Sequence, residues 1–274
     1  MSDYSVLANH RLNESATTHD VPAQDLSHDG HLDAGLNDDI PEEYYVLILD
    51  LVNRLILDNY DIWNKLLHNQ FVEDMRIATA DNIPVLDGFK WYMIQDFFYC
   101  VQLIAYNADR AAKAPNPTIY ERLTKTLNNT LTQWAPNALK TCTDADKLNI
   151  PDTVVFGARR EEATEKYTKF ISDTAEDENW VVSLLAQVPG IQSYYAIARD
   201  LQENSVDNTT AWYKIWVVEN AKHRKSTVEQ INFFKTNYES WKDVPYEKLS
   251  KIFRQACQCE IDLWNVALQS GRVA

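Results

Sequence analysis

Residues Phe89–Cys100 read FKWYMIQDFFYC. The run is apolar and aromatic almost throughout, the pattern of a helix buried on most of its surface. Asp96 nevertheless sits in its middle. On a helix Tyr92 lies at i−4 and Tyr99 at i+3 from it, so the three side chains can share one face. An unpaired buried carboxylate is costly, so Asp96 needs hydrogen-bond partners or an open cavity. It is either a core aspartate bonded to a tyrosine hydroxyl or helix end, or an anionic acceptor on the wall of an aromatic pocket.

The same helical character extends outward. Pro41 suits a first helical position, and Glu42 and Glu43 suit the positive end that follows. A helical stretch runs from Tyr44 to Phe71 with a break near Asn59. After a turn at Asp81–Pro84, Asp87 is placed as the cap of the helix carrying the opening run, which extends to about Lys113. Ile119, Leu123, Leu127 and Leu131 recur at spacing four. Pro136 through Gly157 reads as a long connection. Helices follow over EEATEKYTKFISDTA and ENWVVSLLAQV, the latter ended by Pro189–Gly190. Further helices cover SYYAIARDLQE, a segment from Thr209 to Trp241 broken near His223, and YEKLSKIFRQACQCEIDLWNVALQ. No alternating strand pattern competes. The sequence predicts an all-α bundle of about eight to ten helices in a single domain over residues 41–274.

Composition narrows the function. The chain has 274 residues and a net charge of −14, which disfavours nucleic acid and anionic membranes as partners. Residues 1–43 hold ten acids against Arg11, so nine of those fourteen charges belong to the tail. Residues 1–40 lack periodicity and read as a disordered acidic tail. Thirty-one aromatic residues either fill a core or line a pocket for a flat ligand. No apolar run reaches membrane-spanning length. The four cysteines form no CxxC pair and no secretory leader is evident, so reduced thiols in a cytoplasmic protein are expected. Cys257 and Cys259 point about 200° apart on a helix and cannot readily share one metal. Only His68 and His223 lie in the folded body, and neither belongs to a Glu-x-x-His pattern. No metal, cofactor or phosphate-cradling glycine loop is therefore expected.

A second carboxylate repeats the problem posed by Asp96. Glu260 has Ala256 at i−4 and Trp264 at i+4, which turns it inward, whereas Asp262 points elsewhere into solvent. An inward glutamate is either salt-bridged to a basic side chain or available as a general acid or base.

The ordered set DNIPVLDGFKWYMIQDFFY, TEKYTKFISDTA, LLAQVPGIQSYYAIA, WYKIWV and FRQACQCEIDLW resembles the TenA family of thiaminase II-like enzymes over roughly residues 60–270. The resemblance implies a helical fold like that of haem oxygenase, usually without haem, and often a tetramer; a homo-oligomer is expected. It implies that Asp96 holds an aminopyrimidine ring, that Tyr99, Tyr167 and Tyr194 line the pocket beside Tyr92, and that Glu260 is the acid/base residue. Two departures stand out. The family's nucleophilic cysteine follows a proline, and here Gly190 follows Pro189; a further pocket tyrosine is replaced by Asn220. Covalent thiol chemistry at position 190 is then excluded. Gly190 marks either a turn or a need for room. Three functions remain: a cofactor-free hydrolase of C–N bonds in a small nitrogenous aromatic molecule, a cyclase or isomerase of specialised metabolism using the same acids, and a non-catalytic small-molecule binder.

Overall fold

A computed structural model describes residues 50–269. The acidic segment 1–40 and the helix start placed at Pro41 lie outside them. Twelve α-helices run through the described residues: α1 Leu51–Asp58, α2 Tyr60–Leu67, α3 Gln70–Ile77, α4 Ile83–Ala112, α5 Pro117–Asn129, α6 Ala135–Thr143, α7 Asp152–Gly157, α8 Glu162–Asp177, α9 Val188–Asn204, α10 Val218–Asn220, α11 Arg224–Thr236 and α12 Tyr246–Asn265. Short π and 3-10 segments join several of them, and none of the described residues is in a strand. The all-α expectation holds, with more and shorter helices than anticipated. No helix among the described residues is long and apolar enough to cross a membrane.

The 30-residue helix α4 is the axis of the fold and packs against α5, α6 and α8. Its cap is Asn82, whose Oδ1 accepts the Val85 N–H at 3.2 Å. Asp87, placed as the cap from the sequence, lies inside the helix instead. Asn82 precedes Pro84, which favours the first helical turn, so the helix begins five residues earlier than Asp87 would allow. At the break near Asn59, the Asn59 amide donates to the Leu55 carbonyl at 2.8 Å. Its Oδ1 accepts from Ser250 at 2.9 Å, tying the α1–α2 corner to α12.

Two corrections have physical causes that residue spacing does not display. Pro136 does not open a long connection but sits in the first turn of α6. A π turn at Thr130–Trp134 precedes it. Proline removes one backbone donor and crowds the preceding carbonyl, and a π turn lets the chain stay helical past it. Likewise, Pro189 and Gly190 do not end a helix; they lie in the first turn of α9, after a 3-10 stretch at Val182–Gln187.

Helix α8 is pinned to α4 by the buried Gln95. Its Nε2 donates to the Arg159 carbonyl at 3.0 Å, and its Oε1 accepts from the Glu161 N–H at 2.9 Å and the Thr164 hydroxyl at 2.7 Å. Gln95 thus caps the start of α8 from outside and fixes where Tyr167, two turns on, is presented. At the other end of the core, a Cβ at Gly88 would run into the Ala267 carbonyl, so glycine permits the close approach of α4 to the chain leaving α12.

Candidate active site

Helices α4, α8, α9 and α12 bring together residues that lie far apart in sequence. Glu260 is 2 % exposed and makes no salt bridge among the described residues. Its inward direction follows from Ala256 and Trp264, both buried on the same face of α12. Burial pushes its carboxyl up to about 7, against the opposing pull of hydrogen bonds from Tyr167 and Tyr194.

A continuous chain of phenols surrounds that carboxylate. The Tyr167 hydroxyl donates to Glu260 Oε1 at 2.6 Å. Tyr99 and Tyr167 are also hydrogen-bonded, with ring centroids 4.6 Å apart. Gln187 Nε2 donates to the Tyr99 hydroxyl at 2.9 Å. On the other side Tyr194 bonds Glu260, and its hydroxyl lies 2.7 Å from that of Tyr92. A phenol has one proton to give. With the Tyr167 proton on Glu260, the Tyr99 proton goes to the Tyr167 oxygen and Gln187 supplies Tyr99. Burial, followed by the carboxylate charges, raises the pKa of Tyr92, Tyr99 and Tyr167, so all three remain donors. The protons are ordered toward an ionised Glu260. Its second oxygen, Oε2, is buried and has no hydrogen-bond partner among the described residues.

The carboxylate borders a hollow of about 460 Å³, counted out to its mouth, that Tyr99, Gly190, Tyr194 and Asn220 also line. Asn220 is occupied with the Trp216 carbonyl at 2.9 Å, so its amide is partly committed to the helix. Gln187, Tyr195, His223 and Ser226 line the same hollow and carried no signal that separated them in the sequence. Tyr92 and Tyr167 support the site from behind, in the hydrogen-bond chain. Trp264 stacks on Tyr92 at 4.3 Å with an interplanar angle of 1°.

Asp96 is partly buried, and burial pushes its carboxyl up to about 7. Its charge is felt by both Tyr92 and Glu260, which places the two acids in one electrostatic neighbourhood. Asp96 is not among the residues bordering the hollow at Glu260. Tyr92 is the side chain on which the charges of both acids act.

Gly190 is explained by room rather than by a turn. A Cβ built there would lie 2.6 Å from Glu260 Oε1. The carboxylate thus occupies the space where a side chain at 190 would begin. All four cysteines are buried and unbridged. Burial pushes the Cys142 and Cys259 thiols up to about 12 and that of Cys257 higher still, so none of these three is poised as a thiolate. The described residues contain no cluster of three or more His, Cys, Asp or Glu able to hold a metal ion.

A prediction follows for Gly190→Ala. Alanine improves helix propensity by up to about 1 kcal/mol, yet its methyl displaces Glu260 from the Tyr167 hydroxyl. Thermal unfolding is expected to change little while kcat/KM falls about tenfold, the loss of one charge-assisted hydrogen bond. Unchanged turnover would show that the carboxylate is not needed where it stands.

The comparisons with known proteins agree with this architecture. The model of the TENA/THI-4/PQQC family matches residues 59–270. Among solved structures, a TenA homologue from P. horikoshii OT3 superposes with a TM-score of 0.66 at 22% identity, covering 81% of this chain and 100% of that one. A TenA family transcription regulator from Silicibacter sp. TM1040 gives 0.66 at 17% identity, covering 80% and 96%. A putative TenA-like thiaminase from Sulfolobus solfataricus P2 gives 0.60 at 24% identity, covering 79% and 95%. At these identities the structural likenesses establish the fold. No curated protein matches the sequence.

Proposed function

We propose that this chain, which belongs to the TENA/THI-4/PQQC family, hydrolyses a C–N bond in a small nitrogenous aromatic molecule, with Glu260 as the proton-transfer group. The observation that carries the reading is the carboxylate itself. It is buried, held by two phenols, free of salt bridges among the described residues, poised near neutrality and open on its second oxygen. A structural glutamate would be paired with a cation. A pKa near the working pH is what general acid–base chemistry requires.

In this mechanism Glu260 takes a proton from a water molecule. The water oxygen bonds to the substrate's exocyclic methylene carbon as the C–N bond breaks. The proton on Glu260 then passes to the departing nitrogen, which leaves as an amine. Tyr167 and Tyr194 hold the carboxylate in place through both steps. Tyr99 and Tyr194, on the wall of the hollow, offer flat surfaces for an aromatic ring. Asp96, which does not border the hollow, acts on an amidine-like ring through the charge it shares with the surroundings of Glu260 rather than by contact. The S. solfataricus relative, described as a thiaminase, is consistent with this substrate class.

The decisive measurement is ammonia release from aminomethylpyrimidine and a panel of related pyrimidines. Turnover above buffer is expected for at least one member. A flat response across the whole panel would overturn the hydrolase reading.

A further inference from the structure

A second hollow, about 470 Å³ to its mouth, lies beside the first. Ile191 and Ser226 line both. Its walls carry two guanidinium groups, from Arg110 at the end of α4 and Arg122 on α5. Arg110 is only 2 % exposed. Its Nε donates to the Ser183 hydroxyl at 3.0 Å and one Nη to the Trp180 carbonyl at 3.2 Å. Both partners are neutral, and no carboxylate among the described residues pairs with it. A guanidinium has five N–H donors, so three remain after these two bonds. The Arg122 guanidinium lies 4.4 Å over the Phe233 ring and likewise has no ion-pair partner among the described residues. Arg122 is exposed as a whole, but the surroundings of its guanidinium, then the Arg110 charge, push its pKa down against the weaker pull of Glu229. The hollow thus gathers two guanidinium groups against a single carboxylate, Glu229.

A further observation points to a ligand. The Ser226 hydroxyl is buried, has no hydrogen-bond partner among the described residues, and stands on the wall shared with the first hollow. The acid on the arginine-bearing wall, Glu229, lies 3.6 Å from the Lys225 ammonium, which offsets its charge, so it does not cancel the two guanidinium charges. Burying an uncompensated guanidinium is costly, and planar N–H forks suit oxyanions. A cation would be repelled by the surplus positive charge, and a neutral ligand would leave that surplus uncompensated.

We propose that the Arg110–Arg122 hollow is an oxyanion subsite, taking the phosphate or carboxylate group of a molecule whose aromatic end lies against Glu260. This rests on the functional reading above for the aromatic end, and on the arginines alone for the anion. The substrate class then becomes an aminopyrimidine bearing an anionic substituent.

The test titrates the full chain with inorganic phosphate, and separately with acetate, at constant ionic strength set by chloride, with calorimetry as the readout. Saturable binding of at least one oxyanion is expected, weakened about tenfold by Arg122→Gln and retained by Glu260→Gln. Arg122 is exposed on α5, so its replacement leaves the fold intact even if Arg110→Gln does not fold. Absence of saturable binding, or binding indifferent to Arg122→Gln, overturns the subsite. A second arm compares an aminomethylpyrimidine with an analogue that carries a carboxylate on the ring position away from the aminomethyl group. The carboxylate analogue is expected to bind about tenfold more tightly in the wild type and no more tightly in Arg122→Gln. Equal affinities in the wild type overturn the assignment of the hollow to the substrate's tail. If neither pyrimidine binds while phosphate still saturates through Arg122, the catalytic reading fails and the oxyanion site stands.

Discussion

Glu260→Gln is expected to lower kcat by about 10²–10⁴-fold while making the folded protein more stable above neutral pH. The amide is nearly isosteric, so Tyr167 and Tyr194 keep an acceptor and the α8–α12 contact is preserved. What disappears is the ability to take and return a proton. The stability effect follows from the raised carboxyl pKa, about 7 in the folded chain. A carboxyl raised above its unfolded value is protonated in the native state where the unfolded chain has already lost its proton. Its contribution is fully present below the unfolded pKa and is lost as pH rises through about 7. The loss amounts to about 3 kcal/mol at pH 8. Denaturant unfolding of wild type and Glu260→Gln between pH 4.5 and pH 8 should therefore show the variant gaining relative stability as pH rises. Turnover in the wild type should rise through the same interval, since the base form starts the reaction. A variant that keeps its activity, or a stability difference that does not move with pH, would show that the carboxylate is structural.

The pairing of lost activity with gained stability distinguishes a functional acid from a core one. A core carboxylate bonded for stability would lose stability when neutralised. Glu260 instead combines a buried, unpartnered oxygen with donors that favour its charged form. That is the signature of a group held in an unfavourable state for what it can do.

Much of this was legible in the sequence because helix period and burial agree. Ala256, Glu260 and Trp264 at spacing four turned Glu260 inward, and the structure places all three in the core. Tyr92 and Tyr99 flanked Asp96 on one face, and both phenols are buried. The helix breaks at Asn59 and His223 were visible as interruptions of the apolar period. What was illegible depends on hydrogen-bond register or on contacts between distant segments. The π turn at Thr130–Trp134 leaves no apolar signature, so Pro136 looked like the end of a helix. Gly190 could be understood only once Glu260, seventy residues later in the chain, was seen against it. Gln95 sits beside Asp96 in the sequence with nothing in the apolar period to single it out, although it fixes α8 and hence Tyr167. The arginine-lined hollow escaped because Arg110 and Arg122 lie on separate helices at no diagnostic spacing.

Trp264→Ala is expected to cost about 3–5 kcal/mol of stability and to lower the melting temperature by about 10 °C. Trp264 is fully buried. Besides its stack on Tyr92, its ring lies 5.2 Å from Trp216, 5.8 Å from Tyr194 and 6.3 Å from Phe71, measured between centroids. Removing it opens a void that rigid aromatic neighbours fill poorly, so the cavity adds to the lost apolar burial. The indole N–H has no hydrogen-bond partner among the described residues, so Trp264→Phe removes less surface and also an unsatisfied donor. The phenylalanine variant should therefore recover most of the stability. It should also recover activity, because Tyr92 and Tyr194 regain a wall that holds them toward Glu260. Thermal unfolding and kcat/KM of both variants check the two halves together. A loss below about 1 kcal/mol for alanine would mean that the aromatic cluster does not brace the site. Equal losses of activity in both variants, with stability restored only in phenylalanine, would mean that the full width of the indole is needed to position Tyr92 and Tyr194.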